Sequence, residues 1–353
     1  MRVSWKHLLV LAVVAPLFGL GLGWSGLISV RASTGHWAVT DWFLHWVMRN
    51  SVETRSMTTK VPPLDDEALL APAAGHFQTG CALCHGSPAQ GANDSVLSAL
   101  PPPPNLKMRI PEWTDAQLFE IVKHGVRFTG MPAWPTRTRD DEVWAMVAFL
   151  RRLPEMGADE YRQLAGLQTQ TGGPVSPASV TCDSCHAENR LDDTSLIPRL
   201  AGQSEAYLIN SLRAYAMRER ASGIMQVAAG TLDEEALRSL ASTYAGQVPQ
   251  PRQSVARDPE LVEKGRALAE HGRSKDEVPA CLNCHERPGG NPAYPRLSGQ
   301  TSVYLRQQLQ LFKDGTRGGS QYQHLMTQAA KGLTPDDIEA LSAYFSDRET
   351  RAR

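Results

Sequence analysis

Three features of the sequence predict an all-α protein of three tandem domains behind an N-terminal transmembrane anchor helix. The motif Cys-x-x-Cys-His occurs three times, an uncharged apolar run lies near the N-terminus, and the segments between motifs show apolar residues at helical spacing with no sustained alternation. At 353 residues the chain has room for roughly two or three domains. The expected divisions are 1–64 for the anchor and an interfacial helix, then 65–160, 161–250 and 251–353 for the three domains, with linkers at 156–160, 172–177 and 247–254.

The anchor comes first. Arg2 and Lys6 precede Leu8–Val30, 23 residues without a charge. A secretory signal core is typically about 7–15 residues and a spanning helix needs about 20. The run therefore fits an uncleaved anchor better than a cleaved signal, and Val30-Arg31-Ala32 is a poor cleavage site. Basic residues before the span put the N-terminus in the cytoplasm and the domains outside it. Thr40 or Asp41 is expected to cap a short helix reaching about Asn50. Its Trp42, Phe43 and Trp46, with Trp37 before it, suit the membrane interface; the alternative is packing on the first domain. His36 and His45 precede any domain core and read as surface residues.

Each domain is expected to close with an amphipathic helix. In the first, Thr138 or Asp140 starts a helix bearing Val143, Met146, Val147 and Leu150. In the second, Asp233 caps one bearing Leu237, Leu240 and Tyr244. In the third, Thr334 is the cap, Pro335 the first helical residue, and Ile338, Leu341 and Phe345 share a face. Pro101–Pro104 cannot be helical. Domains of this size bury little surface alone, and a covalent prosthetic group would supply the missing apolar core.

The chemistry lies in the motifs. Cys81, Cys84 and His85, Cys182, Cys185 and His186, and Cys281, Cys284 and His285 account for all six cysteines. This is the c-type haem attachment pattern: the sulfurs add to haem vinyl groups and the histidine reaches the iron. Zinc would pair two Cys-x-x-Cys units, leave the third unmatched and give no reason for a histidine after each. A redox dithiol needs neither the histidine nor three copies. The expected cofactor is therefore three covalently bound haems c.

Net charge is −1, which gives nucleic-acid binding no support. Charge is uneven, however: net +4 over 1–64, −5 over 65–160, −2 over 161–250 and +2 over 251–353.

The second and third motif regions repeat each other. Pro198-Arg199-Leu200-Ala201-Gly202-Gln203 matches Pro295-Arg296-Leu297-Ser298-Gly299-Gln300, Tyr207-Leu208 matches Tyr304-Leu305, and Met225 matches Met326, at offsets between 97 and 101. The first region shares the skeleton of motif, Pro104-Asn105-Leu106, Met131 and closing helix. That order, three times over about 280 residues, resembles the class I cytochromes c. The last two domains resemble the tandem dihaem cytochromes c, and the first resembles single class I domains of respiratory chains.

The resemblance implies His/Met coordination, with Met131, Met225 and Met326 following the ligating histidines by 46, 39 and 41 residues. His324 is a competing ligand for the third iron. The resemblance further implies that each axial histidine donates its second ring N–H to the carbonyl of Pro104, Pro198 or Pro295. Arg199 and Arg296 are candidates for pairing with haem propionates, or are simply exposed. Gly75 and Gly265 are expected to let each opening helix approach its closing helix near Phe149 and Phe345. In the second domain Gly172-Gly173-Pro174 and Pro177 occupy the place of that helix, which leaves its haem more exposed.

The function expected is single-electron transfer by a membrane-anchored tri-haem cytochrome of a bacterial inner membrane, with its haem domains in the periplasm. No catalytic side-chain constellation is evident. Its partners would be a quinol-oxidising complex and a terminal oxidase. The rival readings are the cytochrome subunit of a periplasmic dehydrogenase and a haem enzyme with one open iron position.

Overall fold

The structure, a computed structural model, describes residues 4–167, 177–250 and 256–348. Among them the fold is helical, with two isolated β-bridges and no strand. The stretch Gly172-Gly173-Pro174 and much of the 247–254 linker lie outside the described residues.

The apolar N-terminal run forms a helix over Trp5–Trp24, 20 residues with none buried. This helix starts earlier and ends sooner than the expected Leu8–Val30, because Gly26 takes a positive φ of 71° just beyond it. At 1.5 Å per residue it is about 30 Å long, the thickness of a bilayer core. The next helix runs Ala38–Ser56, longer at both ends than expected, and begins without a side-chain cap. Leu44, Met48 and Val52 are half-buried at a spacing of four. Arg49 anchors the helix by stacking over Trp113 at 5.0 Å and pairing with Glu112 at 2.9 Å. Val39, Trp42, Phe43, Trp46 and Val47 form a second stripe, left exposed. His36 and His45 are exposed.

Three hydrophobic cores follow. The first gathers Leu70, Phe77, Ile110, Phe119, Trp134, the Asp140–Arg152 helix and Tyr161. All four apolar positions expected on that helix are buried, but its N-cap is Arg139, which makes no side-chain cap. Residues 156–160 are not a linker. A helix spans Ala158–Leu164, and Tyr161 is completely buried between Phe77 and Phe149, so the first core runs past the expected boundary at 160. The second core is the smallest, built on Leu208, Leu240, Ala241 and Tyr244. The third packs the Pro259–His271 helix against the closing helix Pro335–Asp347.

Gly265 makes that last packing possible. A Cβ there would lie 2.0 Å from Ala340 O. Gly75 differs from the expectation: its missing side chain faces Cys185 Sγ, 2.8 Å from an added Cβ, and not its own closing helix. The Leu70–His76 helix of the first unit thus packs against the helix Pro177–His186 that bears the second motif. Arg190 strengthens the junction by donating to Gln163 O and Leu164 O at the end of the Ala158–Leu164 helix, at 2.9 and 3.0 Å.

The closing helix of the third unit carries a pH-dependent lock. Thr334 and Asp337 form a capping box, and Asp337, only 2% exposed, also accepts from Arg273 at 2.7 and 3.1 Å. Arg273 holds the Asp337 carboxyl well below the usual carboxylate range. A depressed folded pKa gives stability that is full above the unfolded value, about 4, and lost as pH falls toward the folded one. Asp337→Asn is expected to cost about 2 kcal/mol at neutral pH and to flatten the loss of stability on acidification below about pH 4. Thermal unfolding against pH reads both, and equal acid slopes in the two proteins would contradict the assignment.

Candidate haem sites

Each motif ends on a helix: Ala82–His85, Pro177–His186 and Leu282–His285. The first is entered through a π-helical turn, Phe77–Cys81, that continues the Leu70–His76 helix. No two of the six cysteines are joined in a disulfide. Burial pushes Cys81, Cys182 and Cys281 up to about 11. Redox-active dithiols need the opposite shift, toward thiolate. Among the described residues no three His, Cys, Asp or Glu side chains converge as a zinc site requires.

The histidines are oriented alike. Nδ1 lies 3.2 Å from Pro104 O in His85, 3.1 Å from Pro198 O in His186 and 2.8 Å from Pro295 O in His285. A carbonyl can only accept, so Nδ1 carries the proton and Nε2 presents its lone pair. Burial lowers all three pKa values, against the opposing pull of the carbonyl, and keeps the rings neutral at neutral pH. A neutral imidazole with a fixed second nitrogen suits metal ligation.

The second and third motifs open onto one continuous cavity of about 960 Å³. Cys182, Cys185, His186 and Met225 line it from one side, and Cys281, Cys284, His285 and Met326 from the other. His324 is exposed and lines a different surface depression, with Thr327 and Lys331. Met131 sits on the loop after the Asp115–His124 helix, held by Val126 N–H donating to Met131 O at 3.2 Å and by Met131 N–H donating to Thr129 Oγ1 at 3.1 Å.

His186 itself is buried, 8% exposed. The first unit supplies a wall, with Gly75, His76 and Thr79 all lining the cavity. Burial lowers His76 to about 4 and keeps it neutral against the Trp134 ring, 4.7 Å away.

The repeated Pro-Arg-Leu-x-Gly-Gln stretches join the two halves by a reciprocal clasp. Gln203 donates to Arg296 O at 2.8 Å and accepts from Arg296 N–H at 2.9 Å. Gln300 does the same to Arg199, at 2.7 and 3.0 Å. Each copy's amide thus replaces a strand-like pair of backbone bonds for the other copy.

Arg199, expected either to pair with a propionate or to be exposed, is not exposed and already has a carboxylate partner. Its guanidinium is buried and bound to Glu188, Gln250 O and Gly299 O. Arg199 and Arg296 both line the cavity. Arg220 and Arg317 fit an anion as well, both lining the cavity and, like Arg296, neither paired with a carboxylate among the described residues. Arg220 stacks over Tyr215 at 4.5 Å and Arg317 over Phe312 at 4.7 Å. Arg317 Nε is buried without a partner. Burial by itself would raise Tyr207, but Arg220 and Arg317 outweigh it and bring the phenol down to about 7. Buried positive charge of this kind calls for a counter-charge, which haem propionates would supply. The sequence held a cue to this pair: 220 and 317 stand 97 apart, as do Tyr215 and Phe312, the same offset as Pro198 and Pro295.

Residues 68–150 match the family model described as cytochrome c oxidase, cbb3-type, subunit III, and residues 262–348 match the cytochrome c model. The chain is 34% identical to cytochrome c4 of Azotobacter vinelandii over 47% of its own length and 84% of that protein. It is 34% identical to cytochrome c-552 of Acidithiobacillus ferridurans, over 48% of this chain and 74% of that one. A thiosulfate dehydrogenase electron acceptor of Stutzerimonas stutzeri is 28% identical over 52% of this chain and 85% of its own.

Proposed function

We propose, because this chain belongs to the multihaem class I cytochromes c, that it is a membrane-anchored carrier of three covalent haems, passing single electrons along a respiratory chain toward a terminal oxidase. The observation that carries the reading is the thrice-repeated geometry of a Cys-x-x-Cys-His motif whose histidine is fixed through Nδ1 by a proline carbonyl. The domains are those of the sequence division, with the first extended through Ala165.

Cys81 and Cys84, Cys182 and Cys185, and Cys281 and Cys284 would hold the haems covalently. His85, His186 and His285 would hold the irons through Nε2, and Met131, Met225 and Met326 would supply the thioether ligands. Haem iron supplies a one-electron couple, and a thioether ligand favours its ferrous state and raises its potential. The residues around the second and third sites do the rest. Proline carbonyls keep the imidazoles basic, apolar walls exclude water, and Arg220 and Arg317 offset negative charge at the shared cavity. With these histidines and methionines holding the iron, no position would be left for substrate, which suits transfer without bond making.

The direction toward an oxidase is supported by the match of residues 68–150 to an oxidase subunit. Anchoring is supported by the exposed Trp5–Trp24 helix and by the exposed Trp42, Phe43 and Trp46 stripe that follows it. A second reading, the cytochrome subunit of a periplasmic dehydrogenase, draws support from the relatives named as thiosulfate dehydrogenase electron acceptors.

Detergent extraction and purification of the native assembly tests both. A haem-copper oxidase in the assembly is expected; a dehydrogenase subunit in its place would favour the second reading. N-terminal sequencing of the same sample is expected to retain Trp5–Trp24. A start near Ser33 in a soluble fraction would remove the anchor.

A further inference from the structure

The loop that presents Met225 is held by the neighbouring unit as well as by its own. Glu142, in the first turn of the Asp140–Arg152 helix, is 7% exposed and reaches across to this loop. It accepts from Ser222 Oγ at 2.6 Å and from Gly223 N–H at 2.5 Å. Ser222 Oγ in turn accepts from Met225 N–H at 3.0 Å. Arg139 pairs with Glu142 at 3.1 Å and donates to Ala221 O at 3.0 Å, so the same ion pair grips the loop at three consecutive residues.

The contact is tight and continues outward. A Cβ on Gly223 would fall 2.0 Å from Trp134 Nε1, so only glycine lets the loop sit against the first core. Asp141 holds Arg139 through two bonds of 2.8 Å and accepts from Gln307 of the third unit at 2.8 Å. A buried carboxylate with these donors has one low-energy position, and the Ser222–Met225 turn is fixed with it.

We propose that Glu142 is a positioning residue for the second haem: through Ser222 and Gly223 it sets where the Met225 sulfur stands, so the first unit controls ligation and potential in its neighbour. The inference rests on the reading of Met225 as an iron ligand. A thioether is a weak ligand whose bond depends on how well its loop is held, and partners beyond the ligands tune metal sites.

The test uses the full-length holoprotein in detergent, with Glu142→Ala, Ser222→Ala and Met225→His variants. Met225→His identifies which midpoint belongs to the second haem. Glu142→Ala and Ser222→Ala are each expected to lower that midpoint alone, to weaken the near-infrared sulfur-to-iron charge-transfer band of the ferric protein, and to let the reduced protein bind carbon monoxide. Glu142→Gln, which keeps an acceptor oxygen but loses the pairing with Arg139, is expected to shift the midpoint less. Should Glu142→Ala fail to accumulate, Ser222→Ala decides alone, since it leaves Glu142 paired with Arg139. Wild-type band, carbon monoxide response and midpoints in Ser222→Ala would overturn the proposal. If Met225→His itself moves no midpoint, the ligand reading fails, and this inference with it. If it moves one that Glu142→Ala and Ser222→Ala leave in place, only the positioning role fails.

Discussion

With Met326→His, one midpoint falls by on the order of 0.1–0.2 V, a fraction of the roughly 0.8 V that axial ligands span across haem proteins. Imidazole is the stronger donor and stabilises ferric iron, whereas a thioether favours ferrous iron. The sequence left Met326 and His324 as competing ligands two residues apart. Their side chains part in the fold: Met326 lines the cavity shared with His285, and His324 is exposed beside Lys331. His324→Ala is therefore expected to leave all three midpoints in place. Potentiometric titration of the two variants reads the difference directly. A shift in His324→Ala with none in Met326→His would transfer the ligand role to His324.

Gly265→Val is expected to abolish the native packing of the third unit. The added atoms would overlap Ala340 O and press on Tyr344 Cβ, 2.8 Å from the first of them. Both contacts belong to the closing helix, which cannot yield without opening the core of Leu268, Ile338, Leu341 and Phe345. Overpacking costs about 1–3 kcal/mol when neighbouring side chains can move, and more when the obstacle is backbone. The expected loss is at least about 3 kcal/mol. Gly91→Ala, where nothing lies within 4 Å, should stay within about 0.5 kcal/mol of the parent. Thermal unfolding of the holoproteins compares them; a Gly265→Val protein as stable as Gly91→Ala would refute the close approach.

What the sequence made legible was local. The closing helices over Asp140–Arg152, Glu234–Ala245 and Pro335–Asp347 follow from apolar spacing, and in the last two Asp233 and Thr334 cap as expected. Harder to read was whatever depends on two distant segments meeting. Arg199 looked free because its partner, Glu188, is 11 residues away on a turn whose direction spacing does not reveal. Gly75 looked like a helix-packing glycine of its own unit, yet it faces Cys185. Residues 156–160 read as a linker by composition, but Tyr161 draws the chain back into the first core. Arg220 and Arg317 carried a repeat offset that was there to be used, whereas Glu142 offered none. It is one of three consecutive acidic residues at a helix start, and only the fold separates it from Asp140 and Asp141.

Three covalent haems in one chain are tested most directly by the haem-to-polypeptide ratio of the fully matured, denatured protein, taken from haem absorbance and the intact mass together. Three haems per chain, each retained after denaturation, is the result predicted. Two or fewer, or a motif whose cysteines remain alkylatable, would contradict it.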